Sequence, residues 1–296
     1  MDRRRWLGTS LLALGGLATG VSTQAQPSVL NPPKARLRFS SWLRKLPGDF
    51  NQQLDFVEKA GFEAIELRGN IMENRQEWVK VLGRRAIPVS GMDWAHMTYM
   101  LAEDATLRQK PIDSLKYAID AAHELKVPVL VCVPPRLGQK LPLPDSITSR
   151  SKLMEILIPL GELAAQAGTC LGIEAVDRKS VSCFHTLAEV AGFVRESQCT
   201  GLGIVADFCP LMKEETNLTG AMLSGGQYIK QVHLASRIRT LPGEESEDAH
   251  VFLEGFRGLK MIGYQKFCSF ESGKPGTYEQ GVIKSMAFLR DIWDQA

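Results

Sequence analysis

None of the six cysteines (132, 170, 183, 199, 209 and 268) stands in a Cys-x-x-Cys pair. Several lie inside apolar runs, where a thiol behaves as a small hydrophobe, so buried free thiols are expected rather than a disulfide framework. Charge of one sign is also missing. Lysine and arginine number 35 against 33 acidic residues, a formal net charge of +2. That balance supplies no basic field for nucleic acid, and partners are sought among small molecules. No Gly-x-Gly-x-x-Gly opens a helix and there is no Walker motif, which argues against a doubly wound nucleotide-binding sheet. What remains is 296 residues with 44% hydrophobic content, enough for one large α/β domain with a sizeable core.

The N-terminus carries Arg3-Arg4-Arg5-Trp6-Leu7, a short Gly-containing apolar stretch from Leu11 to Ala18, and then Ser22-Thr-Gln-Ala-Gln. The apolar stretch is too short for a stable membrane span, and the arginine pair with its spacer and two large apolar residues resembles a twin-arginine export signal. Residues 1–26 are therefore expected to be a signal peptide, with cleavage after Ala25, and residues 27–35 a Pro-rich linker. A retained N-terminal anchor is the alternative. The expected address is the periplasm or another exported location, reached with the twin-arginine export machinery as partner. Cargo of that route crosses already folded.

From residue 36 to residue 296 one unit repeats. Strand-like runs Leu37–Trp42, Ala64–Gly69, Ile87–Trp94, Val127–Val133, Leu171–Val176, Leu202–Asp207, Ile229–Leu234 and Lys266–Glu271 alternate with helical stretches. The helices are expected at residues 51–61, 78–84, 113–125, 152–167, 185–195, 213–224, 251–262 and 278–293. Eight alternations in about 260 residues predict a (β/α)8 TIM barrel. In such a barrel the C-terminal ends of the strands share one mouth. The fifth to eighth runs end on Glu174, Asp207, His233 and Glu271. His233 alternates with Val232 and Leu234 at strand period, so its imidazole faces the opposite side from them. Each residue alone reads as a satisfied polar lining. The four together, in a place usually filled by branched apolar side chains, read as the ligands of one divalent metal. Three carboxylates and an imidazole suit Mn²⁺ foremost, with Mg²⁺, Co²⁺, Zn²⁺ or Fe²⁺ as alternatives.

The series Ile173-Glu174, Asp207, Val232-His233-Leu-Ala, Pro242-Gly243 with Asp248, and Gly263-Tyr264 leading to Phe270-Glu271 resembles the xylose isomerase-like barrel superfamily. Within it, the resemblance is to the sugar phosphate isomerase/epimerase family that includes ketose 3-epimerases and inosose dehydratase relatives. It spans residue 36 to the C-terminal helix. It implies a metal-dependent isomerase or epimerase with a carbohydrate substrate, in which Glu174 and Glu271 also work as acid and base on opposite faces of the sugar. The metal would polarise a carbonyl and its neighbouring hydroxyl, acidify the C–H between them and stabilise an enediolate. The resemblance also implies substrate contacts from Arg178 and from Arg239, six residues after His233, and it leaves room for a homo-oligomer.

The resemblance departs at two places. Pro210 stands where the epimerases carry a His three residues after the Asp, and Ser180 where they carry a Glu six residues after the first Glu. A ketose-specific pocket is therefore not expected. Export adds that the substrate is an unphosphorylated carbohydrate. The alternatives are a keto-glycoside or keto-inositol lyase or dehydratase on the same metal, or a carbohydrate-binding barrel without turnover. Glu66 at the end of the second strand is expected in the substrate pocket, and Trp94 on a sugar face. His96 is expected either to replace the imidazole lost at Pro210 or to be a surface loop residue. Asp248-Ala-His250 resembles a metal pair of the apurinic-site endonuclease branch. With five histidines in the whole chain the rest of that branch's cluster is missing, and a nucleic-acid partner is not expected.

Overall fold

Eight parallel strands close on themselves in sequence order: β1 (Arg38–Trp42), β2 (Ala64–Leu67), β3 (Val89–His96), β4 (Leu130–Val133), β5 (Leu171–Glu174), β6 (Leu202–Asp207), β7 (Ile229–Leu234) and β8 (Phe267–Phe270). The seam is the pairing of β1 with β8, with Phe39 opposite Cys268 and Ser41 opposite Phe270. The expected TIM barrel is the observed architecture. The structure is a computed structural model that describes residues 33–43, 46–68, 71–273 and 278–296. The expected signal peptide lies outside the described residues, as does most of the linker. Among the described residues no helix is long and apolar enough to cross a membrane.

The helices are α1 (Phe50–Ala60), α2 (Ile71–Leu82), α3 (Ala105–Leu125), α4 (Ser146–Gln166), α5 (Leu187–Ser197), α6 (Phe208–Glu214), α7 (Leu218–Gly225), α8 (Asp248–Met261) and α9 (Tyr278–Gln295). Two differ from expectation for local reasons. Helix α3 begins eight residues before Asp113 because Asp104 caps it, accepting from the Thr106 and Leu107 amides. Pro111 then sits inside the helix, where its missing N–H removes one internal bond. The expected helix at 213–224 is two helices. Glu215 is extended, and Asn217 starts a new cap by accepting from the Gly220 amide.

The main core lies between the sheet and the helices, where alternate strand residues such as Ile65, Val232 and Leu234 meet the helical stripes. Inside the barrel a second, smaller cluster of Val129, Val131 and Val205 fills the middle. Gly172 of β5 makes room for it, because a Cβ there would stand 2.7 Å from Val205 Cγ2 and 2.8 Å from Val129 Cγ1. The rest of the interior is polar: Ser40, Ser90, Gln231 and Ser269 are buried. All six cysteines are free and buried.

Candidate metal centre

Consecutive strand ends converge on one point. Glu174 closes β5, Asp207 closes β6, and His233 stands opposite Asp207 in the β6–β7 register; Glu271 follows β8 directly. One ligand atom from each of the four lies within 4.8 Å of the other three. The period-two alternation that sends Val232 and Leu234 into the helix layer sends Gln231 and His233 into the barrel.

The imidazole is held from behind. His233 Nε2 donates to Glu66 Oε1 at 3.0 Å, and Gln231 Nε2 donates to Glu66 Oε2 at 3.1 Å. Gln231 reaches on to Ser90, whose hydroxyl is 2.6 Å from that of Ser40. His233 Nδ1 is thereby turned into the mouth, 3.0 Å from Glu271 Oε2 and 3.7 Å from Glu174 Oε1. It makes no hydrogen bond of proper geometry there, and neither does the buried Asp207 Oδ2. Two buried ligand atoms without a hydrogen bond of proper geometry, beside two further carboxylates, fit a divalent ion, and the Glu66–His233 contact is the outer support such a ligand needs.

Arg239 closes the cluster from above, with Nη2 2.6 Å from Asp207 Oδ2 and Nη1 2.8 Å from Glu271 Oε2. Its backbone is left-handed, with φ at 65°. The strained loop is braced by Asp248, whose Oδ2 accepts from Ser236 Oγ and from the Gly243 and Glu245 amides. Asp248 is thus a loop brace. His250 is exposed, 3.5 Å from Glu254, and stands apart from the ligand cluster.

Burial and charge separate the two glutamates. Burial pushes Glu174 up to about 7, with Glu271 and Asp207 adding to the rise against the opposing contact with His233. Burial would also raise Glu271, but Arg239 and His233 outweigh it and hold that carboxyl down to about 2. His233 stays well above the ordinary imidazole value: burial disfavours its charge, and Glu66 and Glu271 more than compensate. Burial raises Asp207 against the opposing charge of Arg239.

A cavity of about 110 Å³ opens over the cluster. Glu66 and Arg239 reach its wall, and both Glu66 oxygens serve His233 and Gln231. Three expected substrate residues lie outside the wall. Trp94 turns into the helix layer, where Nε1 donates to Ser114 Oγ of α3, because strand alternation gives the inward place to Asp93. His96 Nδ1 is 2.8 Å from Thr98 Oγ1. Arg178 is exposed and pairs with Glu214 through its backbone amide and its guanidinium. Ser180 bonds Asp177 and Pro210 is buried in α6, so neither site departure is filled by His96. Trp42 and Arg136 line the cavity and were not singled out from sequence. Both sit at or just past strand ends, the signal that would have found them.

Fold and site together define a (β/α)8 barrel with a candidate divalent-metal centre at its C-terminal mouth. The chain belongs to the xylose isomerase-like TIM barrel family, whose model matches residues 54–292. It is 24% identical over 226 residues to the 3-dehydro-D-guloside 4-epimerase of Escherichia coli K12, covering 74% of this chain and 86% of that protein. It is 22% identical over 268 residues to the D-psicose 3-epimerase of Enterocloster bolteae, covering 85% of each. Among solved structures, the apo 3-keto-D-glucoside 4-epimerase of E. coli superposes with a TM-score of 0.75 at 22% identity, over 86% of this chain and 100% of that one.

Proposed function

We propose that this protein is an exported, divalent-metal-dependent sugar epimerase acting on an unphosphorylated keto-sugar or keto-glycoside, with Mn²⁺ as the expected ion. One observation carries the reading: Glu174, Asp207, His233 and Glu271 present ligand atoms within 4.8 Å of one another at the barrel mouth. The relatives named as sugar epimerases support it. A bound ion would polarise the sugar carbonyl and the adjacent hydroxyl, lowering the pKa of the C–H between them.

The chain's own groups then divide the proton work. Glu271, held ionised by Arg239 and His233, is the base that takes the carbon-bound proton. Glu174, the other glutamate of the quartet, delivers a proton to the opposite face. Arg239, beside both Asp207 and Glu271, offers its guanidinium to the negative charge that develops on the sugar oxygens. Val131, Val133 and Val176 line the cavity and limit water around the reacting carbon.

The test is metal content of the purified protein, followed by NMR in D₂O with keto-sugars and 3-keto-glycosides, comparing wild type with Glu271→Gln. Stoichiometric metal and exchange of a carbon-bound proton, lost in the variant, are expected. Loss of a substituent from the product would turn the reading to elimination. No metal after reconstitution would sink it. Export rests on the Arg3-Arg4-Arg5-Trp6-Leu7 run, and retention of an Arg3→Lys, Arg4→Lys double variant in the cytoplasm is the expected result.

A further inference from the structure

The β4 side of the cavity carries a cation without a counter-ion among the described residues. Arg136, three residues past β4, lines the cavity with Val131 and Val133. Its guanidinium makes no hydrogen bond or ion pair to any described residue. The contrast with Arg239, neutralised by Asp207 and Glu271 in the same cavity, is direct. Asp93, the carboxylate on the β3 side, is already engaged.

The backbone under Arg136 is pinned while its side chain is left open. Its amide donates to Thr98 Oγ1 at 2.9 Å, the Leu137 amide donates to Ser180 O at 2.9 Å, and Arg136 pairs with Val181 in an isolated antiparallel bridge. The Thr98 hydroxyl that accepts from the Arg136 amide is also 2.8 Å from His96 Nδ1. Burial, and then the charge of Arg136, keep the His96 imidazole below its ordinary value. A guanidinium fork is a set of donors without an acceptor. Its natural complement is a planar oxyanion.

We propose that Arg136 recognises a carboxylate on the substrate, so that the sugar is acidic: a keto-sugar or glycoside of the uronic type. This rests on the metal-dependent sugar reading above and adds the charge of the substrate to it. One end of the sugar meets the metal ligands, and its carboxylate meets the β4 side of the same cavity.

Isothermal titration of the Mn²⁺-loaded full chain tests the idea with methyl β-D-glucuronoside, methyl β-D-glucoside and glucose 6-phosphate, with metal content measured in each sample. The glucuronoside is expected to bind at least about tenfold more tightly than the glucoside, the scale of one charge-assisted contact. Arg136→Ala should bring the two within about twofold, and Arg136→Lys should keep an intermediate preference, since an ammonium supplies charge without the fork. Equal affinities in the wild type, or a preference that survives Arg136→Ala, would overturn the inference and leave the sugar reading standing. Tighter binding of glucose 6-phosphate than of the glucuronoside would overturn the carboxylate assignment. Failure of both glycosides to bind would overturn the sugar reading as well.

Discussion

Glu66 and His233 come from strands on opposite sides of the barrel seam, 167 residues apart, and meet at 3.0 Å with both side chains buried. Glu66 accepts the Nε2 hydrogen and so fixes which ring nitrogen faces the mouth. In Glu66→Gln an uncharged carbonyl takes that hydrogen, and an amide NH₂ is pushed against the NH₂ of Gln231. Metal affinity is expected to fall about 10- to 100-fold, the usual cost of losing such a support. Competition with a chelator measures it, and the Co²⁺-substituted spectrum should shift while far-UV circular dichroism stays unchanged.

The protons on the cluster give metal binding a pH dependence of definite sign. Glu174, raised to about 7, and His233, raised well above its ordinary value, must both give up protons before they can act as ligands. Affinity should therefore rise with pH through 7 and above, and titration in two buffers of different ionisation enthalpy should show proton release. In chelator-stripped protein the linkage runs the other way. A carboxyl whose folded pKa exceeds its ordinary value costs stability as pH rises from about 4.5 through 7. Glu174→Gln should flatten that part of the Tm-against-pH curve.

Gly172→Ala would drive a methyl group into Val129 and Val205 inside the barrel. The expected cost is about 1–3 kcal/mol, read as a Tm lower by roughly 2–10 °C. Metal stoichiometry should be unchanged, because the ligand atoms lie at the mouth and not in the valine layer.

Asp248→Ala would leave Ser236 Oγ and the Gly243 and Glu245 amides without their shared acceptor. The loop that holds Arg239 in a left-handed conformation would relax. Turnover is expected to drop at least about tenfold, with stability lower by about 1–3 kcal/mol. Metal content should hold, which separates this variant from a ligand mutant.

The barrel was legible because each strand and helix repeats its own period, and the ligand quartet was legible because it ends consecutive strands. Glu66 shows where that reading stops. Its place at a strand end marks it as inward, but its partner is set by barrel closure across 167 residues, which no local pattern encodes. Trp94 and Asp93 are neighbours, and choosing which one faces inward needs the register. That register shifts between Asp93 and Ala95 at the β3–β4 pairing. Arg178 was carried by resemblance alone, and the carboxylate of Glu214, at the end of α6, claims it instead.

Asp207 belongs to two structures at once. Its Oδ1 accepts from the Cys209 amide and opens α6, while its Oδ2 faces the ligand cluster. Helix α6 in turn touches the Arg239 loop, through Arg237 Nη1 on Met212 O and Cys209 Sγ on Arg237 O. Occupancy at the mouth and the integrity of a helix end are therefore one equilibrium. A descendant of this chain that gave up the ion by changing Asp207 would also have to rebuild the start of that helix, so the site has a footing in the scaffold independent of selection on turnover.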